Sequence, residues 1–231
     1  MGTTAGAAQG SGAEQVGQRE GVVLLHGLAR TRLSMARLGR ILHRQGYAVI
    51  NASYPSRSHP VETLAGMVIP PALGRLRQQG VGRIHFVTHS MGGILARAFL
   101  ATKPLPELGR VVMLAPPNQG SELVDVFWRY GWFRWFFGPA AGQLSTATDS
   151  LPNRLGPATF PLGVIIGDRS AGWPFATCFP GPNDGKVTVA RARLIGMDDF
   201  LTVPCGHAFV MNHPLVRQQA VWFLAHGRFR R

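Results

Sequence analysis

The stretch Thr88-His89-Ser90-Met91-Gly92-Gly93 holds the residue types a nucleophile needs. A continuous apolar run, Ile84–Thr88, leads into it, and helical spacing starts at Met91. A serine on so sharp a strand-to-helix turn has its Oγ lifted clear of the sheet, beside the Met91 N–H and the helix N-terminus. Gly92 and Gly93 let that helix pack closely on the strand. The pattern departs from the G-x-S-x-G elbow at its first position, where Thr88 stands. The bland alternative is a serine that caps the helix through its hydroxyl.

His26-Gly27-Leu28 closes the first apolar run. In a parallel sheet that end opens on the same edge as Ser90. Gly27 permits a bend that aims the Leu28 N–H at a developing oxyanion, with the Met91 N–H as the second donor. His26 itself reads as a histidine that hydrogen-bonds the loop backbone.

A serine hydroxyl needs a base, and the base needs a carboxylate to fix its tautomer. In the order serine, acid, histidine, the acid follows the fifth or sixth strand and the histidine lies near the C-terminus. Asp168 directly follows a strand, with Arg169 beside it as a surface partner. Asp184 lies in the turn-forming loop Gly181–Val187 and is preferred, with a plain turn aspartate as its bland reading. His207, His213 and His226 are the bases to weigh. His207 is preferred because a short Pro204-Cys205-Gly206 loop links it to the last strand. His213 falls at a helix entrance and His226 at that helix's end, where a cation is favoured. His89, on extended backbone, points away from the nucleophile and reads as packed or capping.

The elements that must position these groups alternate. Apolar runs at Val22–Leu25, Tyr47–Ile50, Ile84–Thr88, Val111–Leu114, Leu162–Ile166 and Phe200–Val203 read as strands, the first four buried on both faces. Helical spacing occupies Leu33–Gln45, Val61–Gln79, Met91–Thr102 and Pro214–His226. Pro70 and Pro71 should break or kink the second of these. The expected fold class is α/β, a mostly parallel sheet of about six strands covered on both faces. Residues 1–20 read as a flexible tail and 21–231 as one domain. Ser121–Pro157 breaks the rhythm and reads as an insertion. It carries Phe127, Trp128, Trp132 and Trp135 among its aromatics, with Arg129 and Arg134 between them.

Composition narrows the class. Of 231 residues, 45% are hydrophobic and 15% charged, the reverse of a disordered chain. The 24 basic residues against 11 acidic ones give +13, which favours anionic surfaces. The basic residues are spread out, and no nucleic-acid motif accompanies them, so no nucleic-acid partner is expected. Cys178 and Cys205 are too few for a disulfide scaffold, and Asp198-Asp199 with a lone histidine is too little for a metal site. No cofactor is expected. No apolar run reaches membrane-spanning length and no secretory signal is visible, so a cytoplasmic location is expected.

Taken in order, His26-Gly27-Leu28, His89-Ser90-Met91-Gly92-Gly93, Asn183-Asp184-Gly185-Lys186-Val187 and Gly206-His207 resemble the α/β-hydrolase superfamily, specifically its small serine esterases and lipases. Pro117-Asn118-Gln119-Gly120-Ser121 is similar to another stretch common there. The resemblance runs from Gly21 to about Phe229. It implies a compact member whose sheet lacks the usual first two strands. It also supports Asp184 over Asp168 and makes the Thr88 departure tolerable. Ester hydrolysis through Ser90, Asp184 and His207, with Leu28 and Met91 as oxyanion donors, is the function it implies. A thioesterase or amidase on the same triad, or a catalytically silent binding protein, are the alternatives. The insertion would then form a cap, with Phe127, Trp128, Trp132 and Trp135 facing an apolar acyl chain or docking to a lipid surface. Small-molecule or lipid esters are the expected substrates. The oligomeric state stays open.

Overall fold

A computed structural model describes residues 19–170 and 179–231. Most of the expected tail, and Cys178, lie outside the described residues.

Six strands form one parallel sheet: β1 (Glu20–Leu25), β2 (Ala48–Asn51), β3 (Arg83–His89), β4 (Leu108–Leu114), β5 (Leu162–Gly167) and β6 (Asp199–Val203). Their order is β2-β1-β3-β4-β5-β6. Each apolar run foreseen in the sequence lies within or overlaps one of them. Val22, Val23, Leu24 and Leu25 are wholly buried, as continuous apolar strands between two helical layers must be.

The helices follow the same logic. After a 3₁₀ turn at Arg32–Met35, α1 (Ala36–Arg44) buries Leu38 and Leu42. Gly39 lies against Leu24, so this helix sits close on the sheet. Next come α2 (Val61–Gln78) and α3 (Met91–Thr102), which pack on each other. The closing helix, α9 (Pro214–His226), starts on a proline and ends at Gly227 in the left-handed conformation, and packs beside α1.

Pro70 and Pro71 do not break the helix: α2 runs through both. Two prolines deprive the carbonyls of Gly66 and Met67 of their helical donors. Both of those residues are exposed, so water can take the place of the missing N–H groups.

The insertion over 121–157 folds into four short helices: α4 (Glu122–Phe127), α5 (Gly131–Phe137), α6 (Pro139–Gly142) and α7 (Leu151–Arg154). It is tied down by Arg97 of α3, which is 3% exposed. Its guanidinium donates to the carbonyls of Asn118, Pro152 and Gly156, each at 2.8 Å. Burial pushes its pKa down to about 10, so it stays charged at neutral pH. A further short helix, α8 (Val189–Ala192), starts at Thr188.

Asp198 and Asp199 serve the backbone. Asp198 accepts from the Leu162 N–H at 2.7 Å, and Asp199 from the N–H groups of Phe200 and Phe229 and from Arg231. They thereby fasten the C-terminal segment over β5. There Phe223 and Phe229 cross at 5.0 Å above Gly163, where a methyl group would meet the Phe223 ring at 2.7 Å. Phe223 is fully buried, and Phe223→Ala should cost about 3–5 kcal/mol. Urea unfolding of the variant should show a lower midpoint with an unchanged slope.

Candidate active site

The strand order reverses beside β1: the chain goes out to β2 and returns on the other side at β3. Ligands of open parallel sheets bind outside the carboxyl ends of the strands at such a switch point. His26-Gly27-Leu28 and Ser90 stand there, at the ends of β1 and β3.

Ser90 has φ 53° and ψ −126°, a region that non-glycine residues rarely occupy. Such strain costs on the order of 1–3 kcal/mol and persists only where the surroundings hold it. Here the Ser90 N–H donates to the Leu114 carbonyl at 2.8 Å, and its carbonyl accepts from Gly93 at 2.9 Å. Gly92 makes the turn sterically feasible, since a Cβ there would lie 2.6 Å from the Leu25 carbonyl oxygen. The hydroxyl makes no cap bond to the helix. It lies instead 2.9 Å from His207 Nε2.

His207 opens a 3₁₀ turn (His207–Asn212) after β6 and is 5% exposed. Its Nδ1 is 2.7 Å from Asp184 Oδ2. In the neutral ring, Nδ1–H donates to the carboxylate and Nε2 is left to accept the Ser90 proton. The other carboxylate oxygen, Asp184 Oδ1, accepts the N–H groups of Lys186 at 3.0 Å and Val187 at 2.9 Å. Asp184 is thus buried with its oxygens satisfied. Its backbone carbonyl also accepts the His207 N–H at 2.8 Å, which fixes the two loops together.

The other acid and bases fall elsewhere. Asp168 pairs with Arg169 at 3.5 Å, and no hydrogen bond joins it to His207. His213 precedes α9, and His226 stacks on Trp222 at 3.8 Å. His26 is buried, with Nδ1 2.9 Å from the Gly27 carbonyl and its ring on Tyr54, as a loop-binding histidine should be.

His89 departs from expectation. It is packed, as foreseen, but it does not leave the site. Its Nε2 lies 3.1 Å from the His207 carbonyl, its ring is 5.0 Å from the His207 ring, and it borders the cavity beside Ser90. Strand alternation predicts opposite faces only while the backbone stays extended, and Ser90 does not.

That cavity offers about 60 Å³ of free space. Leu28 lies on its wall, and the Leu28 and Met91 N–H groups have no acceptor among the described residues. The apolar wall comes from the cap, through Leu123, Val124, Phe133, Phe137 and Leu144. Phe127, Trp128, Trp132 and Trp135 do not line it. Trp132 and Trp135 point outward, 59% and 86% exposed, and Trp128 packs against the core. Phe133 and Phe137 are i, i+4 on α5 and share one face of it, while Trp132 and Phe136, with the same spacing, are exposed, so spacing alone does not show which pair turns inward. Arg30 and Lys186 also border the cavity. Burial lowers the Lys186 pKa, and the Arg30 charge adds to the effect. Among the described residues, no three His, Cys, Asp or Glu side chains gather as a metal site. Cys205 is a half-buried thiol whose pKa is raised to about 11, by burial first and then by Asp184 and Asp168.

No protein-family model matches the sequence, and no curated protein matches it. Solved structures do. The mature form of a Bacillus licheniformis lipase aligns at TM-score 0.66 and 21% identity, over 90% of this chain and 93% of that one. Phospholipase PlaB from Legionella pneumophila aligns at TM-score 0.68 and 17% identity, over 89% of this chain and 58% of that one. A thermophilic esterase from Thermogutta terrifontis aligns at TM-score 0.57 and 19% identity, over 91% of each. This is the α/β-hydrolase fold. At these identities the likeness is one of architecture. Among the described residues of this α/β-hydrolase fold, no helix is long and apolar enough to cross a membrane.

The buried histidines of the fold carry a pH signature. His26 and His89 have lowered pKa values, both chiefly through burial, with the His207 charge adding to the effect on His89. His85, whose Nδ1 accepts the Arg110 N–H at 2.8 Å, is lowered by burial as well. The unfolded chain therefore binds protons more readily than the folded one below about pH 6.5. Their contribution to stability should be complete above that pH and fall away as the solution is acidified. Urea midpoints measured from pH 7.5 down to 5 should decline, and the decline should be shallower in His85→Gln.

Proposed function

We propose that the protein is a serine hydrolase that cleaves carboxylic esters through an acyl-enzyme. The observation that carries this reading is the unbroken hydrogen-bonded line from Ser90 Oγ through His207 to Asp184, at 2.9 and 2.7 Å. His207 takes the Ser90 proton as Oγ attacks the ester carbonyl. Asp184 holds the ring in the productive tautomer and stabilises the imidazolium. The Leu28 and Met91 N–H groups receive the oxyanion, an arrangement in which one donor is worth about 10²–10³ in rate. His207 then returns the proton to the leaving alcohol, and water releases the acid by the same steps in reverse roles.

The acyl part would rest on the apolar cap wall, where each buried methylene contributes about 0.8 kcal/mol. A cavity of about 60 Å³ holds only a few water-sized groups, so short acyl chains fit without displacing the cap. The outer face of the cap, with exposed Trp132 and Trp135 beside Arg129 and Arg134, is where we place contact with a lipid surface.

Hydrolysis of p-nitrophenyl esters of graded chain length tests the reading. Activity should be greatest for short chains. Ser90→Ala should abolish it, and Asp184→Asn should lower kcat by about 10³–10⁴ with KM little changed. Equal rates in wild type and Ser90→Ala would refute the assignment.

A further inference from the structure

The helices α1 and α9 border a second cavity of about 220 Å³. Four of its five lining residues are arginines: Arg37, Arg40 and Arg44 from α1, and Arg217 from α9, with Ile41 completing the wall. None of them borders the cavity at Ser90. The spacing of the α1 residues, i, i+3 and i+7, gathers their charges on one helix face, where like charges repel. Helix dipoles do not account for them. A cation suits the last turn, where Arg44 stands, but Arg37 is in the first turn, where it is disfavoured.

No carboxylate relieves the cluster. Among the described residues, none of the four arginines forms an ion pair or a side-chain hydrogen bond. The sequence has no Asp or Glu between Glu20 and Glu62, nor any after Asp199, so neither helix can supply one. Arg217 sharpens the point. It is 9% exposed, and its buried Nη1 has no hydrogen-bond partner. A guanidinium N–H buried without an acceptor is costly. Its neighbours on that wall are three further guanidiniums and Ile41, none of which has a side-chain acceptor to offer.

We infer that the α1–α9 cavity is a binding site for a small multivalent anion bearing phosphate groups. Planar guanidiniums match phosphate oxygens two at a time, and four of them suit a ligand with more than one negative charge. A volume of about 220 Å³ admits one or two phosphoryl groups. A free phosphorylated metabolite and a phosphomonoester lipid headgroup offer the same chemistry.

Two probes separate these sources in the full-length protein: inorganic diphosphate in solution, followed by calorimetry and thermal unfolding, and phosphatidylcholine vesicles with and without phosphatidic acid, followed by co-sedimentation. Diphosphate should bind saturably and raise Tm by a few degrees beyond sodium chloride of matched ionic strength. Arg37→Gln/Arg40→Gln, at two exposed positions, should weaken binding by about tenfold or more, and Arg217→Met by at least as much. Binding to phosphatidic acid vesicles alone, lost in the double variant, would support the site with a headgroup as its source. Failure of both probes to bind, or undiminished binding by the double variant, would overturn the inference.

Discussion

A charged carboxylate in a protein interior is tolerable only if its lone pairs are met. Asp184 is 2% exposed, and the architecture around Ser90 is organised by that requirement. One oxygen takes two backbone N–H groups from its own loop, and the other takes the His207 ring. Because Nδ1 is thereby committed, Nε2 is left as an acceptor, and it meets the one hydroxyl held at positive φ at the end of β3. The aspartate fixes the loop, the loop fixes the imidazole, and the imidazole gives the raised hydroxyl its partner.

Neighbouring contacts extend the same constraint outward. Ser121 donates its hydroxyl proton to the Lys186 carbonyl at 2.6 Å, and Glu122 accepts from Thr188 and Arg191, so the entry to the cap is bound to the acid loop. Arg97 fastens the other end of the cap to α3. The apolar wall above Ser90 is therefore positioned by polar contacts made below it.

Much of this was legible in the sequence because it holds six short apolar runs, of which the first four are continuous, as strands buried on both faces require. Ser90, Asp184 and His207 were legible through local chemistry: a serine before two glycines, an aspartate in a turn, a histidine just past a strand. Less legible was anything set by three-dimensional direction. The aromatic richness of the insertion did not mark which of its rings face Ser90; among the described residues, the aromatic side chains that line the cavity are Phe133 and Phe137. His89 was misdirected because strand alternation was carried one residue too far, into the elbow. Pro70 and Pro71 looked like breakers because the solvent exposure of the carbonyls they orphan cannot be read from neighbouring residues. Arg97 and Arg217 were lost among 24 basic residues, since burial, not type, sets them apart.

The central claim is that one hydroxyl is more reactive than the others on this chain. Reaction with a fluorophosphonate probe, followed by mass mapping of the modified peptide, tests it most directly. The account predicts a single stoichiometric adduct on Ser90 that is lost in His207→Ala, with the folded state of that variant verified by circular dichroism. An adduct on a different residue, or labelling of Ser90 that is indifferent to His207, would contradict it.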